Sequence, residues 1–99
     1  MITSFKTKGI LAIKGKLYSG NVSEIQQEIE YALSLFNFLD IDITDITEIH
    51  ISGVFMLYLM NRMSIEKKMQ VNLVGTSNVV FQNALRISGV NKKFLYTSA

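Results

Sequence analysis

The side chains with the greatest chemical reach in this 99-residue chain lie close together in sequence: Asp40 and Asp42, the chain's single histidine at His50, and Ser52 just beyond it. By inventory they form a serine, histidine and acid set, in which the imidazole takes the hydroxyl proton and a carboxylate orients the ring. The spacing argues against that use. Side chains two apart in a loop or helix start are expected to diverge, and no Gly-x-Ser-x-Gly turn surrounds Ser52 to lift it as a nucleophile. An enzyme or ligand-binding site built from Asp42, His50 and Ser52 would need a concave pocket joining all three. Two carboxylates on one strand face, Asp40 and Asp42, suit acid–base work in principle, but no substrate-pocket motif accompanies them. The plainer expectation is that Asp40 points to solvent and Asp42 accepts hydrogen bonds from loop N–H groups.

His50 itself admits two readings. As a switch it changes charge between pH 5 and 8 beside a helix N-terminus whose dipole disfavours the cation. As a structural residue it hydrogen-bonds a loop carbonyl. One histidine and no cysteine make no ordinary zinc or iron site, and no Walker or dinucleotide glycine pattern is present. The expectation is no metal, no cofactor and no catalysis.

The elements that must position these residues follow from hydrophobic periodicity. Phe38 to Ile43 alternates, with Leu39, Ile41 and Ile43 on one face, and reads as a buried strand. A polar link, Thr44 to His50, leads to Ile51-Ser52-Gly53 and a helix from Ser52 onward. Its run Val54 to Met60 leaves no polar face for two turns, so either nearly all sides are buried or one side meets a partner. Upstream, Ile2 to Phe5 and Gly9 to Leu17 predict a hairpin turning near Thr7-Lys8-Gly9, its lysines on a solvated face or edge. A first helix follows Tyr18-Ser19-Gly20-Asn21, with Asn21/Glu24 or Ser23/Gln26 as capping boxes and Val22, Ile25, Ile29, Ala32, Leu33 and Phe36 as its apolar stripe. Gln70 to Gly75 predicts a strand. Thr76-Ser77-Asn78 caps a third helix with Val79, Val80, Ala84, Leu85 and Ile87 inward and Gly89 as its stop; Val90 to Tyr96 reads as a last strand or extended tail, and the final three residues as frayed.

Length and composition bound the class. Ninety-nine residues hold one domain, 1–99, and 48% hydrophobic with 18% charged residues marks it as globular. All eight acids fall between Glu24 and Glu66, and the lysines are scattered, so no basic track exists for nucleic acid. The longest apolar run, Val54 to Met60, is far short of the ~20 residues of a membrane span. The N-terminus carries no basic head followed by an apolar stretch, and the expected location is cytoplasmic.

Four blocks in order, Gly15-Lys16-Leu17, Leu39-Asp40-Ile41-Asp42-Ile43-Thr44 with Ile49-His50-Ile51-Ser52-Gly53-Val54, Val71-Asn72-Leu73-Val74-Gly75 and Leu85-Arg86-Ile87-Ser88-Gly89-Val90, resemble the STAS domain family, which includes the bacterial anti-sigma factor antagonists. The resemblance covers nearly the whole chain. It implies an α/β fold, a small mixed sheet of four or five strands with helices packed mainly on one face, and binding of a regulatory protein partner. That family usually carries an Asp-Ser/Thr-x-Gly signature after its central strand, whose hydroxyl a partner kinase phosphorylates. Here His50 replaces the aspartate and Ile51 the acceptor, Ser52 takes the variable position, and Gly53 is retained. Tyr18 stands where an acid often follows the Gly-x-Leu block, and Phe55 where a small residue is common.

The resemblance therefore implies a non-enzymatic interaction domain without the usual phosphoacceptor. Its docking surface is expected around His50, Ile51, Ser52 and Gly53 and on the helix exposing some of Phe55, Met56, Leu59 and Met60. The partner would be an anti-sigma factor or kinase-like regulator. Ser52 remains a candidate phosphorylation site in a shifted register, although one hydroxyl in a helix's first turn is more often a cap. The alternative is a STAS subunit of a larger assembly, such as a lipid-transport ABC complex, with the apolar helix as a permanent contact, to a further subunit or within an oligomer.

Overall fold

A computed structural model describes the backbone of residues 3–7 and residues 9–90 in full. The elements run β1 (Thr3–Thr7), β2 (Ile10–Leu17), α1 (Val22–Phe36), β3 (Phe38–Asp42), β4 (Ile46–Ile49), α2 (Ile51–Glu66), β5 (Gln70–Val74) and α3 (Val79–Ser88). The expected strand beyond Val90, the frayed end and the lysines at positions 6 and 8 lie outside the residues whose surroundings are described.

The sheet follows from one hairpin, one short loop between β3 and β4, and helical crossovers through α1 and α2. β1 and β2 are joined by a short turn and pair antiparallel, whereas β3, β4 and β5 lie parallel to β2 or to one another. The order is β1-β2-β3-β5, with β4 paired to β2. β2 serves two partners in succession: Ile10–Ala12 face β3 and Gly15–Leu17 face β4, with a register shift between Gly15 and Lys16. One strand thus aligns the ends of both β3 and β4.

Strand alternation decides which face is covered. Leu11, Ile13, Leu39, Ile41, Val71 and Leu73 are buried beneath the helices, together with Ile25, Ile29, Ala32 and Leu33 of α1. α1 packs on β2 and β3, α2 on β5 and both other helices, and α3 on β4. Ile10, Asp40 and Asn72 share a register on the opposite face, where the Asn72 Nδ2 donates to Asp40 Oδ1 at 3.2 Å. Asp40 is therefore half-buried with a partner, not simply solvated.

Several expectations are corrected by the structure. β4 falls in the segment expected to be a polar link; only Ile46 is buried and Ile49 half-buried, and the exposed Thr47 and Glu48 between them hide the strand pattern. Neither capping box closes α1. The Asn21 side chain instead bridges the turn, accepting from the Tyr18 N–H at 2.9 Å and donating to the Lys16 carbonyl at 2.9 Å. On α3, Val79 and Ile87 point out, 70% and 73% exposed, while Phe81 is fully buried. Asn78 sets that phase by capping the helix, its Oδ1 accepting from the Val80 and Phe81 N–H groups at 2.8 and 3.4 Å.

Candidate functional site at the β4–α2 junction

The junction between β4 and α2 is fixed from below by backbone. His50 leaves β4 in an extended conformation, its N–H donating to the Leu17 carbonyl of β2 at 2.8 Å, and its own carbonyl accepts from the Gly53 N–H at 2.8 Å. The loop ahead of it is equally held. Asp42 Oδ1 accepts from Thr44 N–H at 2.9 Å and from Thr44 Oγ1 at 2.6 Å, as expected for a carboxylate closing a turn. Asn78 Nδ2 reaches across from α3 to the Ile43, Thr44 and Ile46 carbonyls at 3.1, 3.0 and 3.0 Å. Gly75 (φ +85°) completes the clamp, because a Cβ there would come within 2.8 Å of Thr44 Cα and N.

His50 is the N-cap of α2. Its Nδ1 accepts from the Ser52 N–H at 3.1 Å and lies 2.8 Å from Ser52 Oγ. The two side chains meet, contrary to the expectation that they diverge. The near ring nitrogen of an N-cap histidine reaches the second helical residue as an Asx oxygen does, and that capping geometry draws the serine hydroxyl in. Accepting from an amide N–H requires a lone pair on Nδ1, so this cap is one that only the neutral ring carrying its proton on Nε2 can make. Its described bonds go to Ser52, not to the loop carbonyl expected of a structural histidine.

Gly53 follows on the buried side. A Cβ at that position would lie 2.9 Å from Leu17 Cγ and 3.1 Å from Ile49 Cγ1, so its missing side chain lets the first turn of α2 rest on the ends of β2 and β4. From there α2 turns with the 3.6-residue period. Val54, Met56, Leu57 and Met60 go inward, with Met56 and Met60 each 3% exposed. Those two methionines, and the buried Gly53, are thereby removed from the expected docking surface. Among the apolar residues from Ile51 to Met60, those that remain exposed form a row spaced by four: Ile51 (38% exposed), Phe55 (40%) and Leu59 (56%). The run that looked apolar all round is two surfaces, a broad buried arc wedged between α1 and α3 and a narrow outer stripe.

A shallow groove of about 430 Å³ lies beside His50, lined also by Leu17, Tyr18, Thr47, Glu48, Ile49 and Val80. Neither Asp42 nor Ser52 lines it, so this groove does not join the three residues of the catalytic reading. Tyr18 enters this surface from the β2–α1 turn and Val80 from the first turn of α3; both residues are legible in the sequence, but nothing there places either beside His50. Among the described residues no cluster of three or more His, Asp or Glu side chains gathers that could hold a metal, and no helix is long and apolar enough to cross a membrane.

Comparison with known proteins bears on this geometry. A search of curated proteins finds no significant sequence match. Among solved structures, the chain is similar to the anti-sigma factor antagonist SpoIIAA in its unphosphorylated form, with a TM-score of 0.70 at 17% identity over 100% of this chain and 88% of that one. An anti-sigma factor antagonist from Mycobacterium paratuberculosis superposes with a TM-score of 0.67 at 17% identity, over 97% of this chain and 84% of the other. The Bacillus cell fate determinant SpoIIAA in its phosphorylated form gives 0.67 at 16% identity, over 100% and 91%. These likenesses establish the fold: a mixed sheet with four mutually parallel strands, β2 to β5, and three helices on one side. The STAS domain family model matches residues 2–99, so that the sheet order, the strand-to-helix junction at His50–Gly53 and the sequence blocks around it converge on one assignment: the chain belongs to the STAS domain family.

Proposed function

We propose that this chain, as a single STAS domain over residues 1–99, is a non-enzymatic regulatory module that captures a protein partner through the β4–α2 junction and the outer row of α2. The observation that carries the reading is the stripe Ile51, Phe55 and Leu59, exposed beside His50 on a junction held rigid by Asn78, Gly75 and the Leu17 carbonyl. Aromatic and aliphatic side chains on a preformed helix face bind with little ordering cost, and such anchors dominate interface energies. The likeness to anti-sigma factor antagonists points to an anti-sigma factor or kinase-like regulator as the partner.

The same junction carries no hydroxyl at Ile51, so docking proceeds without the phosphate that would add nearly two charges to this surface. The Ser52 hydroxyl is engaged by His50. Titration calorimetry against an anti-sigma factor of the source cell tests the proposal: Phe55→Asp should lower affinity at least tenfold by placing a charge in an apolar contact, and unchanged affinity removes this row from the surface. A permanent assembly is the second reading, favoured by Tyr31 and Leu35, exposed four apart on the neighbouring α1. Size-exclusion chromatography separates the two, since an obligate subunit self-associates or precipitates alone.

A further inference from the structure

We propose that His50 makes the first turn of α2 proton-sensitive: the neutral imidazole caps the helix, and protonation removes that cap while leaving a cation at the helix N-terminus. The inference concerns the free chain; only its consequence for partner binding rests on the docking reading above.

The geometry leaves the imidazolium no way to keep the cap. Nδ1 accepts from the Ser52 N–H at 3.1 Å, and a protonated ring has two donors and no acceptor. Ser52 Oγ, 2.8 Å away, can reverse its role, donating to the neutral ring and accepting from the charged one. The side-chain pair therefore survives, but the backbone N–H of Ser52 faces another N–H and loses its partner. Positive charge is also unfavourable beside the N-terminal end of the helix dipole. His50 cannot slide away as a whole, because its N–H is bound to Leu17 and its carbonyl to Gly53. Only the ring can move, and moving it exposes the end of the helix.

Among the described residues, the adjoining groove offers the charged ring only weak compensation. Glu48 of β4 and Tyr18 of the β2–α1 turn are the titratable groups in the adjoining groove. Glu48 is already shared with Lys16 of β2 at 3.8 Å, and its side chain is two-thirds exposed, which weakens its pull on the ring. From the other elements packed there, Leu17 of β2 and Val80 of α3 are apolar, as is Ile49; Thr47 is uncharged. As the only histidine in the sequence, His50 gives any step in the histidine range an unambiguous source among side chains.

Amide NMR of the full chain between pH 8 and pH 5 tests this. The Ser52 amide shift should change together with the His50 ring signals, and its protection from exchange, corrected for intrinsic rates, should fall roughly three- to tenfold between the two ends of that range, about the worth of one cap. His50→Asn supplies a cap that does not titrate and should hold Ser52 protected at both ends. A Ser52 amide that ignores pH in the wild type, or that steps equally in His50→Asn, overturns the inference and leaves the docking row untouched. Loss of the docking row in a Phe55→Asp titration, conversely, leaves the cap standing.

Discussion

Exchanging Asn78 for aspartate separates two jobs performed by one side chain. Its Oδ1 caps α3, and an aspartate oxygen does that equally well. Its Nδ2 faces three carbonyls of the β3–β4 loop at 3.0 to 3.1 Å, with two hydrogens to share among them. The Asn78→Asp variant would lose about two net hydrogen bonds at roughly 1 kcal/mol each and set a carboxylate oxygen against three carbonyl oxygens in a half-buried site, for a total of ~2–4 kcal/mol at neutral pH. Asn78→Ser keeps a capping oxygen and loses only the tether, at about 1–2 kcal/mol. Urea unfolding at pH 7, against wild type in the same buffer, reads the effect. Asn78→Asp should be the weaker of the two variants. If Asn78→Asp matches wild type, the amide does not donate to the loop and the junction is held by something else.

Gly53→Val should destabilise the domain by about 1–3 kcal/mol in thermal or urea unfolding, because the added carbons meet Leu17 and Ile49 at contacts already near 3 Å; a neutral effect refutes the close seating of α2. The outer and inner sides of α2 should behave oppositely. Phe55→Asp is expected within about 1 kcal/mol of wild-type stability, whereas Met56→Asp, burying an unpaired charge, should fail to give a cooperative unfolding transition, and equal behaviour contradicts the assigned phase. Leu57→Ala, fully inside, should cost about 2–5 kcal/mol by the same measurement.

Much of this architecture is legible in residue order. The strand at Phe38–Asp42 alternates cleanly, α1 carries one apolar stripe, and Gly89 ends α3 in a left-handed conformation, so local rules and tertiary packing agree there. β4 is hidden because four residues with two exposed polar side chains carry too little periodicity to stand out. The phase of α2 is hidden for the opposite reason. Seven apolar residues in succession fit any rotation, and only packing between α1 and α3 decides that Met56 and Met60 go in while Phe55 and Leu59 stay out. The His50–Ser52 contact escapes notice when the pair is treated as two loop side chains rather than as a cap and its helix. Asn78 is visible as a cap, but its reach to carbonyls more than thirty residues away in sequence depends on the Gly75 turn bringing α3 over the loop.

The most direct test of docking without a phosphate switch is a titration of the chain against an anti-sigma factor with kinase activity, in the presence of ATP and of a non-hydrolysable analogue, with the intact mass of the chain read afterwards. The account predicts equal affinity in both nucleotides and an unmodified chain. Affinity lost only with ATP, together with phosphate on Ser52, would contradict it.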